Sequence, residues 1–121
     1  MDDKTKIEAC IQLYFDSLYE SDTDKVRASF HDAAMVSGYL PDGLHEMSLS
    51  EFADFVGSQQ PSPKENNDEV LLEIVSCEIN GSTASAKVRD GYLGMVFLDT
   101  LSLLKVDDEW KIYNKLFHVE S

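Results

Sequence analysis

The chain predicts an α+β domain, with three helices in its N-terminal half laid on one strongly curved antiparallel sheet. Three observations carry this. Met95 to Val119 holds two long β-rich runs around the acidic group Asp107-Asp108-Glu109, which reads as a hairpin. Lys4 to Glu20 and the segment after Ser48 carry apolar residues at spacings of three and four, which reads as amphipathic helix. Asn80-Gly81, set between two β-type runs, is the strongest hairpin-turn signal in the chain.

In order, Ile7, Cys10, Ile11, Tyr14, Phe15 and Leu18 form the apolar stripe of the first helix. Ser21-Asp22-Thr23 ends it and can cap a short second helix with Val26 and Phe30 on one side. Ala34 to Leu40 reads as a strand. Pro41-Asp42-Gly43 is a turn, because Pro presets φ, Asp bonds the backbone and Gly accepts positive φ. Leu44 to Met47 returns as a short paired strand. Ser48-Leu49-Ser50-Glu51 fits a capping box, so the third helix begins there, carries Leu49, Phe52, Phe55 and Val56, and stops near Gly57. Ser58 to Asp68, with Pro61 and Pro63, is a polar and mobile loop. Val70 to Ile79 and Ser82 to Arg89 are the arms of a hairpin, and Gly91 and Gly94 bracket a loop or bulge before the main hairpin. Helices gathered on one face of such a sheet leave a concave interior, a natural place for a small-ligand pocket.

Length and charge narrow the function. The 121 residues suit one domain, 1–121. Twenty-three acidic residues against ten basic ones give a formal net charge of −13, which repels phosphate backbones and anionic membranes and promotes solubility. Neither nucleic acid nor membrane is an expected partner. No apolar run approaches the roughly 18 residues of a membrane span, and the N-terminus shows no signal-type apolar core. Cys10 and Cys77 are far apart, and reduced, buried thiols in a cytoplasmic protein are the simplest account. His31, His45 and His118 are dispersed without metal-ligand spacing. No Gly-rich phosphate loop, nucleophile elbow or Cys-Xaa-Xaa-Cys pair occurs, so neither metal nor cofactor is expected.

Several segments together resemble one superfamily. They are Ile11-Gln12-Leu13-Tyr14-Phe15, Ser21-Asp22, Phe30-His31-Asp32-Ala33-Ala34, Phe97-Leu98-Asp99 and Trp110-Lys111-Ile112-Tyr113-Asn114-Lys115. From about Ile7 to His118 the chain resembles the nuclear transport factor two-like superfamily, with its ketosteroid isomerase-like, cystatin-like fold. Within it, the chain looks most like the putative lumazine-binding family. The resemblance implies a cone-shaped, antiparallel or mixed sheet wrapped around three helices, an apolar pocket, and a homodimer through the outer sheet face. Members include isomerases, dehydratases, cyclases and non-enzymatic carriers, so the fold does not fix the function. Ketosteroid isomerisation on this fold needs a carboxylate base and an oxyanion hole of a tyrosine and a protonated aspartate. By the resemblance Tyr14 stands at the oxyanion tyrosine, but Ser37 stands at the base and Ser102 at the second oxyanion acid. Serine does not shuttle protons near neutral pH without a base beside it, so isomerase chemistry is expected to fail.

The expected pocket lies between the first and third helices and the sheet, lined by Tyr14, Phe30, Ser37, Phe55, Ser102 and Phe117. Tyr14 reads equally as a core tyrosine with a satisfied hydroxyl. Ser37, Thr100 and Ser102 read equally as ordinary strand residues. Asp99 is the single acid inside the main strand. Facing inward it is the leading acid–base candidate, and otherwise it pairs with a loop amide. Alternation sets Asp99 on the face opposite Thr100 and Ser102 unless the strand is bulged. Lys115 would bind an anion if inward, although an outer, solvated or cross-strand paired lysine is the plainer reading. Trp110 and Ile112 have the opposite parity to Lys115 and Phe117. The leading expectation is therefore a small-molecule-binding protein. The alternatives are an isomerase or lyase using Asp99 or Tyr14, and a structural or adaptor dimer with a filled interior.

Overall fold

Residues 2–120 are described by a computed structural model. Asp2 opens α1 (Asp3–Glu20) by accepting a hydrogen bond from the Thr5 amide, and Ser21 closes it in the left-handed region at φ 51°. Its buried face is the expected stripe, with Ile7, Ile11, Tyr14 and Leu18 among its deepest residues. Asp22 caps α2 (Thr23–Ser29) through the Asp24 and Lys25 amides. Phe30, expected on this helix, has extended backbone and instead begins β1 (Phe30–Leu40). The Pro41-Asp42 turn leads into β2 (Gly43–Ser48), whose Gly43 pairs with Leu40. A complete capping box between Ser48 and Glu51 then starts α3 (Leu49–Gly57).

The C-terminal half is four sequential strands: β3 (Leu72–Asn80), β4 (Thr83–Tyr92), β5 (Met95–Val106) and β6 (Glu109–Val119). The β5–β6 turn is Asp107-Asp108, both at positive φ, which is the two-residue geometry matching strand twist. Glu109 already belongs to β6, paired with Val106. β4 runs three residues beyond Arg89, through Asp90, Gly91 and Tyr92. The turn expected at Tyr92-Leu93 falls on Leu93-Gly94, both at positive φ.

The curved sheet has the order β2-β1-β6-β5-β4-β3. It is antiparallel except for the parallel β1–β6 pair, and is therefore mixed. The helices lie on its concave side, α1 against β6 and β4 and α3 against β1 and β2. The 58–68 loop, expected to be mobile, is tied to α1: the Lys64 amide donates to the Tyr19 carbonyl, and Tyr19 Oη donates to the Asp68 carbonyl. Cys10 is buried, but Cys77 is partly exposed, and both thiols are free. No helix among the described residues is long and apolar enough to cross a membrane.

Candidate functional site

One extra residue in β6 determines what the concave face displays. Ser102 pairs with Asn114 but Leu103 pairs with Ile112, so Tyr113 has no partner of its own on β5. This bulge resets the alternation. Trp110 and Ile112 before it, and Lys115 and Phe117 after it, are all buried on the inner face. Lys115, for which an outer position was the plainer expectation, is thus inward and only 6% exposed. β4 and β5 keep strict alternation here. Ala86, Val88, Asp90 and Tyr92 face inward on β4, as do Phe97, Asp99 and Leu101 on β5.

Four polar side chains therefore meet inside an apolar core. Tyr14 Oη donates a 2.7 Å hydrogen bond to Asp99 Oδ2, and both residues are fully buried. Asp90, 1% exposed, lies beside them. Burial, and next the Asp99 charge, push its carboxyl up to about 8, while Lys115 pulls it the other way. Burial, reinforced by the charges of Asp90 and Asp99, holds the Tyr14 phenol well above its ordinary value. Lys115 Nζ sits among three rings, 4.8 Å from the centroids of Tyr14 and Phe52 and 5.7 Å from that of Phe117. Among the described residues it forms no ion pair. Asp90 Oδ2, Asp99 Oδ1 and Tyr92 Oη are buried with no hydrogen-bond partner among the described residues. Such orphaned buried groups need an explanation, since each costs about 1–3 kcal/mol when left unpaired.

Above this cluster is a cavity of about 260 Å³. Tyr14 and Lys115 meet it from α1 and β6, and Asp90 and Tyr92 from β4. Phe52, Phe55, Phe97 and Phe117 supply most of its aromatic wall. Phe55 and Leu93, each more than a third exposed, stand at its rim.

The expected site residues divide by position. Tyr14, Phe55, Lys115 and Phe117 line the cavity. Asp99 lies one layer deeper, bonded to Tyr14 rather than to a loop amide. Phe30 is also deeper, packed against Tyr14 and Phe52 with centroids 5.7 Å away from each. Ser37 and Ser102 do not line it. They alternate with buried Val36 and Gly38, and with buried Leu101 and Leu103, and so lie on the outer face, as does Thr100. Asp99, not Ser102, is the acid beside Tyr14. Asp90 and Tyr92 were missed because the β4 reading stopped at Arg89. Continuing the Ala84, Ala86, Val88 parity by two steps would have found both. Among the described residues no cluster of three or more His, Cys, Asp or Glu side chains could hold a metal.

The sequence model of the family described as Putative lumazine-binding matches residues 2–118. The chain belongs to that family. In fold, it is similar to an NTF2-like protein of unknown function from Methylobacillus flagellatus, 27% identical with a TM-score of 0.86, covering 100% of this chain and 94% of that one. A second such protein, from Shewanella baltica, is 25% identical with a TM-score of 0.84, over 98% and 94% of the two chains. A ketosteroid isomerase-like protein from Erwinia carotovora shares the fold at 14% identity and a TM-score of 0.72, covering 100% of this chain and 99% of that one. The aldolase FrzH of Cladobotryum sp is 21% identical over 105 residues, 87% of this chain and 82% of that protein. The superfamily architecture expected from the sequence is thus present in this lumazine-binding family member, with three helices on a curved, mixed six-stranded sheet.

Proposed function

We propose that this chain binds a small, largely apolar molecule in the cavity between α1, α3 and the curved sheet. The observation that carries this is the cavity itself, walled by aromatic and aliphatic side chains with a few polar ends at its base. That composition is the usual one for small-molecule sites. Its volume of about 260 Å³ lies just under the ordinary range of roughly 300–1,000 Å³, which favours a ligand of one or two rings. Membership of a family described as lumazine-binding supports a small-molecule ligand. The test is titration with 2-naphthamide, a neutral bicyclic probe, followed by fluorescence. Binding is expected in the native chain and lost in Met47→Trp, which fills the cavity. No binding of either 2-naphthamide or its acid, 2-naphthoate, in the native chain would refute the reading.

A second reading is a lyase or isomerase on the same scaffold. The Tyr14–Asp99 hydrogen bond, with Asp90 protonated up to about pH 8 beside it, favours this reading because it joins a proton donor and acceptor at the cavity floor. The similarity to a protein named an aldolase points the same way. Its test is exchange of the α-protons of 2-tetralone in deuterated water. Acceleration by the native chain that is lost in Asp99→Asn supports catalysis, and no acceleration favours a carrier.

A homodimer through the outer sheet face completes the proposal. Met35, Tyr39, Leu44, Tyr113 and Leu116 are exposed there, with Tyr39 and Leu44 directly paired across β1 and β2. An apolar surface of this kind marks an interaction site, and a two-fold pair is the commonest closed arrangement. A cytoplasmic, single-domain carrier is consistent with the composition.

A further inference from the structure

We infer that the ligand's polar end is a carboxylate, held by Lys115 with Tyr92 as an accompanying donor. This rests on the small-molecule reading above and specifies its chemistry.

Lys115 carries the argument. A buried ammonium is expensive unless it is paired, and in so acidic a chain carboxylates are abundant. Six ion pairs occur among the described residues, yet none reaches Lys115. Its neighbours are instead the rings of Tyr14, Phe52 and Phe117. Ring faces compensate part of the lost hydration but accept no strong hydrogen bond. The ammonium lines the cavity with its donors unspent.

The other polar groups on the cavity have matching character. Asp90 is held as a neutral acid up to about pH 8, with the Asp99 carboxylate beside it to accept its proton in a hydrogen bond, so it adds no negative charge at the cavity. Burial pushes the Tyr92 phenol up, so it is a neutral donor. Asp90 Oδ2 and Tyr92 Oη have no hydrogen-bond partner among the described residues. A cation and a neutral donor on one apolar cavity fit an acceptor oxygen with negative charge, and charge-assisted bonds of this kind are roughly twice as strong as neutral ones. A neutral ligand would leave the ammonium desolvated, and a cation would meet it with like charge.

The groups facing Asp90 are Tyr14 from α1, Asp99 from β5, Lys115 from β6 and Tyr92 on its own strand, while β3 sets Leu72 opposite it. His45, paired with Asp42, is at the β2 side of the cavity. As Asp90 loses its proton through about pH 8 it adds a negative charge beside the cavity, so an acid should be held less well above that pH.

The experiment compares 2-naphthoate with 2-naphthamide, which share the bicyclic body and differ in charge. By calorimetry at about pH 6, the acid should bind about tenfold or more tightly than the amide. Lys115→Met, checked for fold by circular dichroism, should abolish that preference, so that acid and amide bind with equal affinity. Lys115→Arg should retain it. Acid affinity should fall between about pH 7 and 9 in the native chain, and Asp90→Asn should remove that fall. Equal binding of acid and amide, or a preference that survives Lys115→Met, overturns the inference and leaves small-molecule binding intact. Binding of neither probe overturns both.

Discussion

Tyr14 and Asp99, 85 residues apart in sequence, are joined by a 2.7 Å hydrogen bond in the interior, with Asp99 fully buried. The bond ties the centre of α1 to the middle of β5. It also leaves Asp99 Oδ1 without a partner, so the Tyr14 hydroxyl is the group that satisfies this carboxyl.

Tyr14→Phe should therefore destabilise the fold by about 1–3 kcal/mol, since it strands a buried acceptor. Chemical denaturation measures this. In a double-mutant cycle with Asp99→Asn the two changes should be non-additive by about 1 kcal/mol. Additive losses would mean that the pair does not act as a unit.

Asp90 predicts the pH dependence of stability. Its folded carboxyl is raised from the ordinary 3.8 to about 8, so the folded chain holds a proton that the unfolded chain releases near pH 4. The stability tied to that proton is fully present below the unfolded value and is lost as pH rises through about 8. Asp90→Asn should lack this loss. The variant should gain a few kcal/mol relative to the native chain as pH rises from about 4 to about 8, and no more above that, as read from urea midpoints. Parallel pH profiles for the two proteins would contradict the assignment.

Gly38 sets the position of the Phe117 ring. A Cβ there would overlap the Phe117 carbonyl oxygen and lie 2.5 Å from Phe117 Cγ. Gly38→Ala should cost about 1–3 kcal/mol and weaken binding of either naphthyl probe, because the ring that it displaces lines the cavity. Native-like stability and affinity would show that β1 and β6 tolerate a wider spacing.

The outer face predicts assembly. Leu116, 53% exposed, and Tyr39, 63% exposed, stand on the side away from the helices. Sedimentation equilibrium at micromolar concentration should give twice the 13.6 kDa chain mass. Leu116→Lys should reduce this to one chain without altering probe binding. A native monomer would contradict the dimer.

The element order was legible from periodicity, capping and turn signals, because these are local. The capping box at Ser48-Glu51 and the stripe ending at Leu18 both formed as the spacing required. The site was less legible because it depends on the register between strands. Ser37 and Ser102 were expected in the cavity from a positional likeness that a single residue of offset reverses. The Tyr113 bulge, which brings Lys115 inside, has no signal in β6 alone beyond the clash of parity between Ile112 and Lys115. Asp90 was hidden for another reason. Gly91 looked like the end of a strand, yet here a glycine continues it with Leu71 packed close above.

The central claim is that an inward Lys115 faces an apolar cavity that takes the acidic end of a small molecule. A crystal structure of the protein grown with 2-naphthoate tests it most directly. The bicyclic ring is expected between Phe52, Phe55 and Phe117, with a carboxylate oxygen at hydrogen-bonding distance from Lys115 Nζ. Naphthoate bound on the outer face, or Lys115 turned to solvent with the cavity closed by side chains, would contradict it.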